Sequence, residues 1–319
     1  MIPVDVVLIG RNEGARLVAA LASVMGQARQ VIYVDSGSAD DSVAEARRAG
    51  ATVVALDMSK PFTAARARNA GFAALKDPQF VQFIDGDCVL IDGFVQAGHA
   101  HLIANPDLGM VTGWRSEIYR DASVFNQLAD FEWRRPAGEI LTCGGDMMVR
   151  AKAFRAIGGF DPAVIAAEDD EFCTRLRKGG WRLERIPREM TRHDADTHRF
   201  GQWWTRAVRT GHGFAQVGDL HPDYFVRERR RVLAYALVLP ILILVALLIW
   251  WPLAVLLSGA YALNYGRTVQ GLMRDGLPRT EALRHALFIT LSKFPNLIGM
   301  ATYGLRRRRN AQMRIIEYK

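Results

Sequence analysis

The chain has 319 residues, half of them hydrophobic, with 41 lysines and arginines against 33 aspartates and glutamates, a formal net charge of +8. That length exceeds one small domain and leaves little room for three. The charge is unevenly placed: 15 basic residues face 4 acidic ones from Val226 onward, and 26 face 29 before it.

A basic end interrupted by long apolar runs suits an anionic membrane surface better than nucleic acid. Cys88, Cys143 and Cys173 have no CxxC spacing, and their odd number argues against a disulfide framework. A reducing cytosol fits them. The first residues lack a basic stretch followed by a long apolar one, so no signal peptide is expected. The front of the chain is therefore placed in the cytoplasm.

Taken in order, residues 4–9 read as a short buried strand. A loop, Gly10 to Gly14, leads into a helix with Leu17, Leu21, Val24 and Met25 at helical spacing. Residues 31–34 form a second strand ending at Asp35. Ser38 and Asp41 have the spacing of a capping box for a helix running to Arg48, with Gly50 as its stop. A third strand covers 52–56, an Ala-rich helix 63–75, and a fourth strand 80–84. Strands alternating with helices over short connections predict a parallel α/β sheet whose ligands sit at the carboxyl ends of its strands. Glu13, Asp35, Asp85 and Asp87 all lie at such ends.

Asp85-Gly86-Asp87 is the sharpest feature. Two carboxylates two residues apart suit Mg²⁺ or Mn²⁺ carrying a nucleotide diphosphate, because hard cations take oxygen ligands. An Asp-Gly turn closing a strand is the plain alternative. The next stretch is less regular, with strands at 111–117 and 145–150 and a short helix at 152–157 closed by Gly158-Gly159. Glu168 to Glu171 open a further helix, where acidic residues also serve simply as dipole complements.

These pieces in this order resemble the family-2 inverting glycosyltransferases of GT-A fold, over roughly residues 3–200. They are Arg11-Asn12-Glu13, Val34 to Asp40, Ala67-Arg68-Asn69-Ala70-Gly71, the DxD string, Gly158-Gly159-Phe160-Asp161 and Glu168-Asp169. The resemblance implies an α/β, Rossmann-like mixed sheet with C-terminal membrane-associated helices. It also implies a nucleotide-sugar site made by Arg11, Glu13, Asp35, Arg68, Asp85 and Gly86. Loop capping by Glu13 and Asp35, and a surface location for Arg68, are the competing readings. Asp87 would ligate the metal, with Asp85 on ribose or metal-bound water. His193 would reach the metal or the diphosphate unless it is a solvated loop histidine. Asp169 would be the general base, supported by Glu168.

Gln202-Trp203-Trp204-Thr205-Arg206 departs from the Gln-x-x-Arg-Trp string of the processive synthases, which favours transfer of one sugar per encounter. Two rivals stand beside this reading. Asp85 to Val89 also fit the nucleophile string of haloacid-dehalogenase-type phosphohydrolases, although that strand comes first in their fold. The other rival is a catalytically silent membrane scaffold.

The predicted layout is a catalytic domain over 1–200, an amphipathic interface helix and basic connector over 201–231, and a membrane part over 232–319. Residues 198–216 alternate aromatic and basic side chains as an interfacial helix would. Residues 232–249 span ~27 Å as a helix, close to the hydrocarbon thickness. Trp250-Trp251-Pro252 reads as a turn, 253–265 as the return, and 282–305 as one interfacial or re-entrant helix. Two full spans, 232–257 and 282–304, are the competing topology. The expected enzyme sits on the cytoplasmic side of the inner membrane. There it is expected to move a sugar, UDP-linked in the donor, to a polyprenyl-type lipid-linked or polysaccharide acceptor.

Overall fold

The apolar runs of the first half become the middle of a mixed sheet in the computed structural model, which describes residues 3–317. Nine strands are described: β1 Val4–Gly10, β2 Val31–Asp35, β3 Thr52–Ala55, β4 Phe80–Asp85, β5 Cys88–Leu90, β6 Leu108–Glu117, β7 Gly138–Glu139, β8 Met147–Arg150 and β9 Arg182–His193. Their order is β3-β2-β1-β4-β8-β6-β9-β5, with β7 beside β9. β3, β2, β1 and β4 pair in parallel. β8 then runs antiparallel between β4 and β6, and β9 is parallel to β6.

Seven helices flank these strands: α1 Ala15–Val24, α2 Ser42–Arg48, α3 Ala64–Ala74, α4 Phe94–Ala104, α5 Val124–Trp133, α6 Ala151–Ala156 and α7 Glu168–Lys178. The period of two along β1 sends Val4, Val6 and Leu8 into one apolar cluster with Leu17, Leu21, Phe94 and Leu102. Val7 and Ile9 enter a second cluster with Phe83, Phe154, Phe160 and Phe172. A strand buried on both faces is mostly apolar, and the one charge in β1, the buried Asp5, is paired with Arg29 at 2.7 Å.

Helix α3 shows how local sequence fixes position. Thr63 caps it by accepting the Arg66 amide at 3.1 Å. Gly71 sits so close to the sheet that a Cβ there would lie 2.3 Å from Val7 Cγ1. Asn69 exchanges two hydrogen bonds with the Phe160 backbone, 2.8 and 2.9 Å, clamping the glycine turn after α6.

Two local expectations are corrected. Ser38 and Asp41 form no capping box: Ser38 Oγ accepts the Asn12 amide at 2.9 Å, and Asp40 accepts the Ser42 amide at 3.1 Å, so α2 starts later. The stretch after β5 is also more ordered than its sequence suggests, adding α4, α5 and the 12-residue β9. The stop after α2 is as expected, with Gly50 at φ 90° and its amide bonded to Arg47 O.

The chain divides into two compact units between Asp196 and Thr197. The second unit is helical: α8 Phe200–Leu220, α9 Val226–Leu233, α10 Leu239–Ile249, α11 Trp251–Arg274, α12 Arg279–Leu291 and α13 Lys293–Arg308. A π-helical turn, Ala234–Val238, joins α9 to α10 just before Pro240, where the missing amide disturbs the helical ladder. Val226–Ile249 is the one described helical run long and apolar enough to cross a membrane, with a mean hydropathy of 3.1 over its most apolar 18 residues.

The expected turn is real, with Trp250 extended at φ −160° and ψ 99°. It breaks the alternative span 232–257. The returning helix α11 packs along α10 and reaches Arg274, beyond the expected 265. Tyr261 donates to the Tyr235 carbonyl across this hairpin. Residues 282–305 are not one helix: α12 and α13 meet at Ser292. The helix expected at the interface, α8, has α13 packed closely along it. A Cβ at Gly211 would lie 2.0 Å from Asn296 O, and one at Gly299 would lie 2.0 Å from Val208 O. Helices approach that closely only at small residues.

Candidate active site

Sheet register gathers the acidic loops. Ile9 pairs with Asp85 across β4 and Gly10 with Asp35 across β2, so three loop starts share one edge. Asn12, at φ 56°, stitches the first loop to the second: its Oδ1 accepts the Ala39 amide at 2.7 Å. Glu13 lies over Gly10 and Gly86, where an added Cβ would be 3.1 Å from its Cγ, and it pairs with Arg16 at 3.0 Å. Gly86 thus makes room for Glu13. Asp35 is buried, and its Oδ2 accepts the Gly37 and Ser38 amides, both at 3.0 Å. Loop capping therefore already occupies one oxygen of Asp35. Arg11 stacks over Phe62, 4.7 Å from the ring centroid.

Arg68 is a buried hub, not a surface residue. Only 2 % exposed, it donates to Asp85 Oδ1 at 2.7 Å and to Glu168 Oε1 at 2.9 Å. Burial lowers its pKa, but Asp85 and Glu168 outweigh that and the net shift is upward. Gly145 closes the hub, since a Cβ there would meet Arg68 Nη2 at 2.2 Å. Asp85 of the DxD string and Glu168 of the Glu168-Asp169 pair, 83 residues apart in sequence, are thereby held by one guanidinium.

Asp87 and His193 come together because Cys88 pairs with His193 across β5 and β9. Asp87 Oδ1 is 3.3 Å from His193 Nε2, and Glu117 faces Nδ1 at 3.9 Å. His193 is a buried strand-end residue edge-on to Trp133, not a solvated loop histidine. Donors ~3 Å apart match neighbouring corners of an octahedron with ~2.1 Å bonds, so the pair fits a small divalent cation. Cys88 also lies within reach, but burial holds its thiol well above the usual range, which keeps sulfur protonated and a poor ligand. Asp85, expected near the metal as well, accepts from Arg68 through Oδ1 at 2.7 Å and lies within reach of Cys88 and Asp146.

Asp169 is half-buried in the first turn of α7, which starts from Ala167 in the left-handed region at φ 57°. Burial first, then the neighbouring Asp170 and Glu168, push its pKa well above the ordinary carboxylate range, and Arg68 opposes them. A carboxylate raised in this way, next to Glu168 that Arg68 ties to Asp85, is a candidate proton acceptor.

The sequence reading missed Arg115 and Asp146. Asp146, 1 % exposed, accepts from Arg115 Nε at 2.9 Å, Thr191 Oγ1 at 2.7 Å and the Asp85 amide at 3.2 Å. Arg115 stacks on Trp133 at 5.3 Å. The available signal was Gly144-Gly145-Asp146 opening an apolar strand, a reverse of the DxD string closing one.

Residues 5–157 match Glycosyl transferase family 2. That stretch is a family-2 glycosyltransferase domain. Residues 122–199 also match the N-terminal domain of galactosyltransferase. A pre-mycofactocin glycosyltransferase of Mycobacterium tuberculosis is 29 % identical over 236 residues, covering 69 % of this chain and 48 % of the relative. The chain spans about half the length of that curated relative.

A mannosyltransferase from Pyrobaculum calidifontis, solved with GDP-Man and Mn²⁺, shares the GT-A fold at a TM-score of 0.58. It is 18 % identical over 96 % of this chain and 88 % of its own. The glucosyl-3-phosphoglycerate synthase of M. tuberculosis, solved with Mn²⁺, UDP and phosphoglyceric acid, has a TM-score of 0.51. It is 18 % identical over 68 % of this chain and 77 % of its own. The phosphohydrolase alternative finds no support: the family match is to glycosyltransferases, and Asp85 is bound to Arg68 rather than free to attack.

Proposed function

We propose that the glycosyltransferase moves one sugar from a nucleoside-diphosphate sugar, UDP-linked, to a lipid-linked or membrane-proximal saccharide acceptor with inversion. The observation that carries this reading is the Arg68 bridge between Asp85 and Glu168, because it sets a candidate base beside the candidate diphosphate site. Arg11, Glu13, Asp35 and the space over Gly86 receive the nucleoside. Asp87 and His193 hold Mg²⁺ or Mn²⁺. When bound, the cation supplies positive charge against the departing diphosphate. Asp169 takes the proton from the attacking acceptor hydroxyl, a contribution of ~10²–10⁴-fold for a positioned base. Its raised pKa favours proton capture near neutral pH, and Glu168, fixed by Arg68, keeps it oriented.

The C-terminal hairpin holds the enzyme on the cytoplasmic leaflet of the inner membrane, where a polyprenyl-type acceptor resides. Its support is the apolar run to Ile249, only 17 % of whose most apolar window is buried, and the arginines at both of its flanks. Nucleotide-sugars screened for release of nucleoside diphosphate, with and without lipid-phosphate acceptors, test the reading. Acceptor-dependent release of UDP and an inverted anomer are expected. Release of inorganic phosphate instead, or a retained anomer, would defeat it.

A further inference from the structure

Beside Arg115 opens a cleft of about 240 Å³, lined in part by Thr112, Trp133, Gly144 and Asp146. It touches both halves of the candidate site. Arg115 and Asp146 belong to the web around Asp85, and the lining residue Cys143 lies 3.8 Å, sulfur to sulfur, from Cys173 on α7, the helix that carries Asp169.

The charges of this cleft do not balance internally. Arg115 is engaged by Asp146, and Glu132 stands exposed in the lining. Among the described residues Arg185, 7 % exposed, donates only to backbone carbonyls, Gly113 O at 3.2 Å and Pro136 O at 3.3 Å. Arg135 lines the same cleft and forms no ion pair among the described residues. Burial, together with the like charge of Arg135, lowers the pKa of Arg185, while Cys143 opposes this. A neutral donor could clamp two carbonyls equally well. A buried guanidinium without a carboxylate is costly, and a planar oxyanion is the partner that its fork fits best.

We propose that this cleft is the acceptor subsite, with Arg185 and Arg135 gripping an oxyanion, a phosphate or carboxylate, that the acceptor carries. The inference rests on the transfer reading above and adds the acceptor's chemical class. An acceptor anchored there lies beside Asp146, which holds the Asp85 amide, and beside Cys143, which touches Cys173 on the helix of Asp169.

The test uses the full chain with its donor site filled by Mn²⁺ and UDP, or by whichever diphosphate the donor screen selects. Glycerol 3-phosphate, glycerate and farnesyl phosphate in detergent micelles are titrated in separate calorimetric arms, which separate soluble phosphate, carboxylate and lipid phosphate. At least one should bind. Its affinity should fall 10-fold or more in Arg185→Gln, which keeps donors for the two carbonyls, and a few-fold in Arg135→Ala, with UDP affinity unchanged. No binding in any arm, or equal binding by both variants, would overturn the proposal. So would a parallel loss of UDP affinity, which marks a purely structural arginine. Acceptor-dependent UDP release in the screen can also come from an acceptor held elsewhere on the protein, so failure here leaves the transfer reading standing.

Discussion

Asp169 carries three like charges' worth of neighbourhood on one turn, with Glu168, Asp170 and Glu171 around it. Because burial and those carboxylates raise its pKa, the folded enzyme keeps a proton that the unfolded chain releases near pH ~3.9. Stability tied to this group is therefore present at low pH and lost as pH climbs through the raised folded value. Asp169→Asn should lower turnover by ~10² or more while raising the melting temperature at neutral pH and sparing donor binding. A variant with near-normal turnover would remove Asp169 from the mechanism. In the wild type, the acid limb of the kcat/KM profile should lie well above pH 4, the ordinary carboxylate value; a limb at the ordinary value would contradict the raised pKa. Asp87→Ala should remove most Mn²⁺-supported nucleotide binding, and calorimetry showing unchanged affinity would count against it as a ligand.

At the scale of elements, α3 organises the site. One turn of it sends Arg68 to the carboxylates, Asn69 to the Phe160 loop and Gly71 against β1. Arg68→Ala leaves Glu168 without its guanidinium and Asp85 with only the more distant Arg115, 3.8 Å away, and should destabilise the fold by ~3–5 kcal/mol. Denaturant unfolding checks this, and a loss below ~1 kcal/mol would mean that water replaces the guanidinium cheaply. Gly145→Ala should damage activity in the same way, since its Cβ needs the space of Arg68 Nη2. The Ala-Arg-Asn-x-Gly string was visible in sequence, but its three separate targets were not, because each lies in a different part of the chain. Likewise His193 could be named in advance, whereas its pairing with Asp87 depends on β9, a strand whose mixed polar pattern hides it.

For the whole molecule, the charge split and the exposed apolar faces of α10 and α11 argue for attachment by burial more than by charge. Leu248 is 88 % exposed and Leu256 74 %. Membranes washed in high salt should retain the protein, while detergent should release it; release by salt alone would refute hairpin insertion. Cys88, Cys143 and Cys173 are all buried, so a cysteine placed at Gly271 gives a clean report of topology. Impermeant label applied outside intact cells should not reach it if both ends of the hairpin face the cytoplasm.

Local pattern alone determined the strand–helix alternation, the carboxylates at strand ends, the resemblance they carry and the break at Trp250, because these depend on residues within a turn or two of each other. Tertiary structure decided what those residues touch. The grip of Arg68 on Asp85 and Glu168 spans 100 residues, and Asp146 reaches the DxD edge only because β8 pairs antiparallel with β4, Met147 opposite Phe83. The cover of α13 over α8 depends on Gly211 and Gly299 letting two backbones meet. Periodicity reports which face of an element is apolar, but it holds no information on which distant surface will fill it.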